Sequence, residues 1–121
     1  MRTKMKIDYM LVSDLLPKAD GKVKFNYSAL DKSPAESGCY IITTFDGTIL
    51  YIGQSDNIRR RMEEHLDEKE KTKETPWGVS FWLYYKLYDK TKLNELEREW
   101  TNEYKLKMGK RPHFSKNDPP I

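Results

Sequence analysis

The chain has 121 residues, which is the size of one domain with one modest hydrophobic core. Charged residues make up 34% of the sequence and hydrophobic residues 37%, and the mean hydropathy is -0.87. This composition excludes a stretch of about 18 apolar residues that could span a membrane, and no signal-peptide pattern opens the chain. We therefore expect a soluble, cytoplasmic protein with no membrane partner. The formal charge of +3 permits nucleic-acid binding without demonstrating it.

Residues 1–33 are interpreted as an N-terminal extension, and residues 34–121 as the main domain. Apolar residues in the extension are scattered and are interrupted by Pro17. This pattern favours a short helix over residues 9–16, followed by irregular or extended chain. Ser33-Pro34 then separates the extension from the first strongly patterned part of the sequence.

An Asp-Gly dipeptide at positions 46–47 lies between runs of apolar and β-branched residues, which predicts a β-hairpin with a two-residue turn. That turn pairs Ile42 with Tyr51 and Tyr40 with Gly53, so the two tyrosines share one face. Gly53 leaves a gap the size of a side chain opposite Tyr40. Both faces are apolar: one carries Cys39, Ile41, Leu50 and Ile52, and the other carries Ile42, Ile49 and the two tyrosines.

The only cysteine of the chain, Cys39, allows no internal disulfide. Its place beside Tyr40 in a strand indicates a small buried hydrophobic residue. A catalytic thiol is the alternative, but no helix N-terminus is placed to lower its pKa.

A helix is predicted over residues 57–70, with Ser55 or Asp56 as its N-cap. A third strand is predicted over residues 79–88, because this aromatic-rich run is too short for an amphipathic helix. The apolar stripe of the helix consists of Ile58, Met62 and Leu66.

The side chains of three arginines and a histidine on this helix are expected to point in different directions from its axis. Arg61 and His65 lie one turn apart at the edge of the apolar stripe. Arg59 and Arg60 point elsewhere, and Arg60 lies nearly opposite the stripe. We interpret Arg59 and Arg60 as candidate phosphate contacts, together with Lys105, Lys110 and Arg111 from a basic segment near the C-terminus.

The last helix is predicted over residues 92–108. Glu97 falls inside its apolar stripe, whereas Glu95 and Glu99 fall on the far side. A carboxylate that faces a core needs a partner, which is either an arginine or tyrosine in a structural hydrogen bond or a bound metal ion. The stripe itself consists of Leu93, Leu96, Trp100, Tyr104 and Met108.

Taken in order, these motifs resemble the GIY-YIG nuclease superfamily. The residues that carry the resemblance are Gly38-Cys39-Tyr40, Tyr51-Ile52-Gly53, Arg61, His65 and Glu97. The resemblance implies an α+β fold with a small three-stranded antiparallel sheet flanked by helices, and a metal-dependent endonuclease that hydrolyses phosphodiester bonds in DNA.

By position, the resemblance also implies site residues. Glu97 would bind a divalent metal, Mg²⁺ or Mn²⁺, and Gly38 and Gly53 would be structural positions of the motifs. The catalytic set would comprise Tyr40, Tyr51, Arg61, His65 and Glu97. One of the two tyrosines would accept the proton of the attacking water, and the sequence leaves both open.

The chain departs from the family pattern at three positions. Cys39 replaces an isoleucine, Gln54 stands where some members have a lysine, and Ser115 or Asn117 stands in for an asparagine. Two alternatives follow. One is a nuclease-like module that has lost catalysis and binds DNA or a protein partner. The other is an α+β interaction domain in which Glu97 is salt-bridged.

Overall fold

The computed structural model describes residues 9–115. It is an α+β structure built on one antiparallel sheet, with the strands in the order β1, β4, β2, β3. The strands are β1 (Gly21–Lys24), β2 (Gly38–Thr43), β3 (Ile49–Ser55) and β4 (Trp82–Leu87). The α-helices are α1 (Ile58–Asp67), α2 (Lys69–Thr72) and α3 (Leu93–Met108). Short 3₁₀ helices cover Val12–Asp14, Tyr27–Lys32 and Lys90–Lys92.

The α+β class with an antiparallel sheet is confirmed, but the sheet has four strands and not the expected three. The additional strand, β1, comes from the predicted N-terminal extension and pairs with β4. Its four residues are too few to show a clear alternation, and only Val23 is buried. The helix expected over residues 9–16 is reduced to the 3₁₀ turn, because Leu11 forms a bridge to Thr48 instead.

The pairing predicted for the hairpin is confirmed, with Ile42 opposite Tyr51 and Tyr40 opposite Gly53. The prediction of a two-residue turn is wrong. The amide of Gly47 donates to the carbonyl of Thr44, and Gly47 has a φ of 90°. This is the three-residue hairpin loop in which a glycine occupies the left-handed position.

A register shift next to the loop corrects the expected position of Ile49. Thr43 lies opposite Ile49, so one residue of β3 is extra at this point. Because a one-residue shift moves a side chain to the other face, Ile49 packs with Ile41 and Ile52 and not with the tyrosines.

The two faces of the sheet carry separate cores, as the apolar pattern of the hairpin predicted. The face covered by α3 buries Met10, Leu15, Cys39, Ile41, Ile49, Ile52, Leu93, Leu96, Trp100 and Tyr104. The face covered by α1 buries Val23, Phe25, Ala29, Tyr40, Ile42, Ile58, Met62, Leu66 and Leu83.

The ends of the elements differ from the predictions by a few residues. The N-cap of α1 is Asn57, whose side chain accepts a hydrogen bond from the amide of Arg60, and not Ser55 or Asp56. Helix α1 ends at Asp67, and Glu68 separates it from α2. Within residues 9–115, no helix combines the length and the apolar character needed to cross a membrane.

Candidate active site

Two of the predicted aromatic residues and the predicted histidine form one buried cluster on the α1 face. The Oη atom of Tyr40 lies 2.7 Å from Nε2 of His65. The ring of Tyr51 lies 6.0 Å from that of Tyr40 and 5.1 Å from that of His65, measured between ring centres. Tyr40 is 1% exposed and His65 is 0% exposed. The predicted convergence of these residues is therefore present in the fold.

The two motif glycines allow this close packing. A Cβ atom at Gly53 would lie 2.6 Å from Cε2 of Tyr51 and 2.7 Å from Oη of Tyr40. A Cβ atom at Gly38 would collide with the carbonyl oxygen of Lys86 in the neighbouring strand. Any larger residue would displace the tyrosines at the first position or the strand at the second.

His65 is neutral in this environment. Burial, with the positive charges of Arg61 and Lys71, lowers the pKa of His65 to about 3. A neutral imidazole carries one N–H, so Nε2 accepts a hydrogen bond from the Tyr40 hydroxyl only when Nδ1 carries the hydrogen. Among the described residues Nδ1 has no hydrogen-bond partner, and its closest charged neighbour is Oε1 of Glu68 at 3.7 Å.

Both phenols remain protonated at neutral pH. Burial raises the pKa of Tyr40 well above its ordinary value, and the neighbouring Tyr51 adds to this effect. Burial also raises the pKa of Tyr51. Arg61 opposes the rise for both residues, because a positive charge favours the phenolate. A further cation would be needed to make either phenol an effective base at neutral pH.

Arg61 reaches this cluster from the edge of the α1 stripe, as predicted. Its Nη1 atom lies 2.9 Å from Oε1 of Glu64 and 4.0 Å from Oε1 of Glu68. About a third of the side chain is exposed, at 33%. Arg61 can therefore meet a ligand from solvent while it acts on the buried phenols.

Glu97 lies on α3, on the other side of the sheet. It is half-buried, whereas Glu95 and Glu99 are exposed, which agrees with their predicted angles on the helix. Burial raises the pKa of Glu97, and a hydrogen bond from the Gln54 side chain partly offsets that rise. No described lysine or arginine forms an ion pair with Glu97. Within residues 9–115, the alternative in which Glu97 is salt-bridged therefore has no lysine or arginine to support it.

The two sides of the sheet meet in a cleft of about 260 Å³ at the edge of β3. Because β3 is the last strand of the sheet, a side chain from each face can reach around it. The amide of Phe114 donates to the carbonyl of Leu50, which holds the chain after α3 along this edge. The cleft is lined by Tyr51, Ile52, Glu68, Glu70, Lys71, Glu97, Phe114 and Ser115. Asn117, the other candidate for the family asparagine, lies outside the described residues.

The cleft fits a hydrated divalent ion with one protein ligand. Within residues 9–115, no group of three or more His, Cys, Asp or Glu side chains is placed to hold a metal. Glu97 is nevertheless half-buried, has no lysine or arginine ion-pair partner among residues 9–115, and lines the cleft. Mg²⁺ keeps several waters and binds proteins through one or two carboxylates together with substrate phosphates. A single carboxylate such as that of Glu97 is therefore enough for this mode of binding.

A larger cleft of about 480 Å³ lies at the opposite edge of the sheet, beside β1. Its described lining contains neither a carboxylate nor a histidine, and Nζ of Lys22 lies 4.1 Å from the centre of the Trp82 ring. This cleft has the volume to bind a ligand, but it lacks the groups that hydrolysis requires.

The cations predicted to contact nucleic acid differ in their exposure and in the partners that they bind. Arg59 donates to the carbonyl oxygens of Asp31 and Ser33, so it holds the N-terminal segment against α1. Arg60 is exposed and pairs with Asp56 and Glu64. Beyond α3, Lys110 and Arg111 are exposed and Lys105 is half-exposed.

Sequence reasoning missed Lys71. It follows the predicted helix over residues 57–70, in a run of lysines and glutamates whose charges nearly cancel, but it is 6% exposed and lines the cleft. Its Nζ atom lies 3.1 Å from Oε2 of Glu68 and 5.1 Å from the centre of the Tyr51 ring. The spacing of Glu68 and Lys71, three positions apart on a helix, was the one available signal, and such pairs are common on solvated surfaces.

Comparison with known proteins gives the same family that the motifs indicated. A family model described as the GIY-YIG catalytic domain matches residues 36–111, which is well over half of the chain. Two curated relatives share 37% identity with it over 43 residues: UvrABC system protein C of Borrelia duttonii (strain Ly) and that of Borrelia recurrentis (strain A1). The matched stretch covers 36% of this chain but 7% of each relative, so the likeness concerns a small part of those proteins.

Proposed function

We propose that this chain, which belongs to the GIY-YIG catalytic-domain family, is a metal-dependent endonuclease that hydrolyses phosphodiester bonds in DNA. The observation that carries the proposal is the cleft at the edge of β3, where Tyr51 from one face of the sheet and Glu97 from the other converge. Tyr51 and Glu97 line this cleft, and the Arg61 guanidinium acts on Tyr51 from beside it. A phenol, a guanidinium and a carboxylate are groups that can support phosphodiester hydrolysis.

Tyr51 is the phenol best placed to accept the proton of the attacking water. It lines the cleft, whereas Tyr40 is buried and hydrogen-bonded to His65. In the proposed role, neutral His65 and Tyr40 hold the Tyr51 ring in position by packing against it. Arg61 favours the phenolate form of Tyr51 and binds a non-bridging phosphate oxygen.

The Glu97 carboxylate would hold the divalent ion, Mg²⁺ or Mn²⁺, with water as the remaining ligands. When bound, that ion supplies charge stabilisation to the phosphate and to the leaving oxygen. The exposed cations Arg60, Lys110 and Arg111, with Lys105, would contact flanking phosphates of the DNA. Arg59 would act there only after it leaves the carbonyl oxygens that it now binds.

Glu97→Gln tests the proposal, because it keeps the shape of the side chain and removes its charge. We expect nicking of labelled single-stranded, duplex, flapped or branched DNA in Mg²⁺ or Mn²⁺ to fall by a factor of about 10² or more. The melting temperature should stay constant or rise, because the substitution removes a half-buried charge that no described lysine or arginine pairs with. Exposed Glu99 on the same helix supplies the matched control, and Glu99→Gln should cleave at the wild-type rate.

A non-catalytic DNA-binding module is the second candidate function, and it is favoured by Ser115, which lines the cleft near the position of the family asparagine. DNA binding by the wild type without nicking of any of these substrates in either metal would support this module and overturn the nuclease.

A further inference from the structure

We propose that Lys71 and Arg61 together form an anion subsite that binds a phosphate of the substrate, and that the Glu68 carboxylate occupies this subsite in the free protein. This inference deepens the proposed nuclease function and rests on it for the identity of the phosphate.

Lys71 is buried, although burial of a charged ammonium group costs free energy. Its side chain is 8% exposed, and lysine is rarely buried unless its charge is paired. Exposed Lys69 and Lys73 on the same short segment show that the local sequence can leave a lysine in solvent. The fold therefore directs one lysine of this segment into the cleft.

The Glu68 carboxylate shows that the two cations converge on a single anion. Its Oε2 atom lies 3.1 Å from Nζ of Lys71, and its Oε1 atom lies 4.0 Å from Nη1 of Arg61. The same Oε1 atom lies 3.7 Å from Nδ1 of His65, which has no hydrogen-bond partner within the described part of the chain. Phosphate oxygens are anionic acceptors like those of a carboxylate, so a phosphate can replace Glu68 among these donors.

Glu68 is placed so that it can be displaced. It lies between α1 and α2, as the C-cap of one helix and the residue before the other, so its backbone belongs to neither helix. Its side chain is 40% exposed, in contrast to the buried side chain of Lys71. The carboxylate can therefore turn towards solvent, and a phosphate that enters in its place keeps the charge of buried Lys71 paired.

The position of Lys71 over Tyr51 also fixes where the phosphate would lie. Nζ of Lys71 is 5.1 Å from the centre of the Tyr51 ring, and both residues line the cleft that contains Glu97. A phosphate on Lys71 and Arg61 is then adjacent to the phenol proposed as proton acceptor. The subsite thus holds the phosphate that is cleaved or the one next to it.

Substitution of Lys71 tests this subsite. We expect Lys71→Met to lower kcat/KM for DNA nicking by at least about tenfold, and Lys71→Arg to retain most of the activity. Lys69→Met is the matched control, because Lys69 is exposed on the same helix, and its kcat/KM should stay within about twofold of wild type. Melting curves identify any Lys71 variant that fails to fold, and Glu68→Gln then decides the question.

Glu68→Gln separates displacement of an anion from a purely structural ion pair. If the Glu68 carboxylate occupies the subsite, Glu68→Gln should increase the affinity for DNA, measured without divalent metal, by about threefold to fivefold. If Glu68 only holds Lys71 in place, the same variant should bind DNA equally or more weakly, which would overturn the proposal. Wild-type kcat/KM in a folded Lys71→Met variant, or equal losses in Lys71→Met and Lys69→Met, would also overturn it.

Titration of inorganic phosphate into the metal-free protein does not depend on nuclease activity. The NMR signals of the Lys71 Cε methylene should shift and saturate with phosphate, and Arg61→Ala should weaken that response. If no DNA is nicked by the wild type, the proposed function fails while this titration still decides the subsite. If DNA is nicked and the Lys71 signals do not respond, the subsite fails while the function stands.

Discussion

The two faces of the sheet use alternate residues of the same strands for different purposes. On the α3 face, Ile41 and Trp100 belong to an apolar core. On the α1 face, the adjacent residue Tyr40 points at His65, and a buried imidazole nitrogen is left without a hydrogen-bond partner among the described residues. Because side chains alternate along a strand, one residue step separates the apolar core under α3 from the tyrosine–histidine cluster under α1. The α1 face therefore combines an apolar core with a buried polar cluster, whereas the buried cluster on the α3 face is apolar.

The strongest test of this comparison is removal of the large side chain on the scaffold face. Trp100 is fully buried, and its Nε1 atom donates to the carbonyl of Pro17 at 2.9 Å. We expect Trp100→Ala to lower the free energy of unfolding by about 3–5 kcal/mol, measured by urea denaturation. Leu106→Ala on the same helix is the control and should have almost no effect, because Leu106 is 87% exposed. A loss below about 1 kcal/mol for Trp100→Ala would contradict the role of this face as the main scaffold.

On the site face, Arg61→Ala should act on chemistry and much less on folding. We expect nicking to fall by about 10²-fold with a modest loss of DNA affinity, because Arg61 acts on both phenols. Arg60→Ala should weaken DNA binding and leave the turnover of bound DNA unchanged, since Arg60 pairs with Asp56 and Glu64 at the surface. Equal kinetic losses in both variants would show that α1 acts only as a positively charged patch.

Tyr40→Phe measures the stability of the buried polar cluster itself. It leaves Nε2 of His65 without its hydrogen-bond partner in a buried position, so we expect a loss of about 1–3 kcal/mol in the free energy of unfolding. Tyr84→Phe is the matched control on the other face, where Tyr84 packs against the apolar core, and it should change stability by less than about 0.5 kcal/mol. Similar values for both would mean that the Tyr40 to His65 hydrogen bond contributes nothing specific.

The smallest expected effect is a dependence of stability on pH that comes from His65. Its pKa is about 3 in the folded protein and near 6.5 in the unfolded chain, so the unfolded chain binds more protons between these values. The contribution of His65 to stability should therefore be complete well above pH 6.5 and be lost progressively as the pH falls through that value. Between pH 7 and pH 5.5, the wild type should lose about 1 kcal/mol more than His65→Gln. Parallel pH profiles for the two proteins would show that His65 is not buried as a neutral group.

Much of this arrangement could be predicted from the sequence because it depends on local periodicity. The pairing of Tyr40 with Gly53 follows from alternation along a hairpin, and the inward position of Glu97 follows from a helical angle. The shift at Ile49 could not be predicted, because a bulge leaves no local signal in a run of apolar residues. Strand β1 depends on pairing with the distant β4, which is a tertiary choice.

The candidate site shows the same division between local and distant information. Arg61 and His65 could be placed because they lie on the edge of a helical stripe. The burial of Lys71 could not be predicted. It depends on the direction that α2 takes after Glu68 and on the Tyr51 ring, which comes from strand β3. A charge-balanced run of lysines and glutamates normally indicates a solvated surface, and nothing in its composition distinguishes the one residue that turns inward.

Cys39, buried on the scaffold face, makes the protein suitable for site-specific labelling. It is the only cysteine of the chain, it is fully buried, and burial raises its pKa to about 12. Near pH 7 the thiol is protonated and out of reach of solvent, so maleimide reagents should leave it unmodified in the folded protein. A fluorophore or spin label can therefore be attached at an introduced surface cysteine with the native sequence otherwise intact. Distances from such a probe to labelled DNA would test whether DNA binds beside the cleft at the edge of β3.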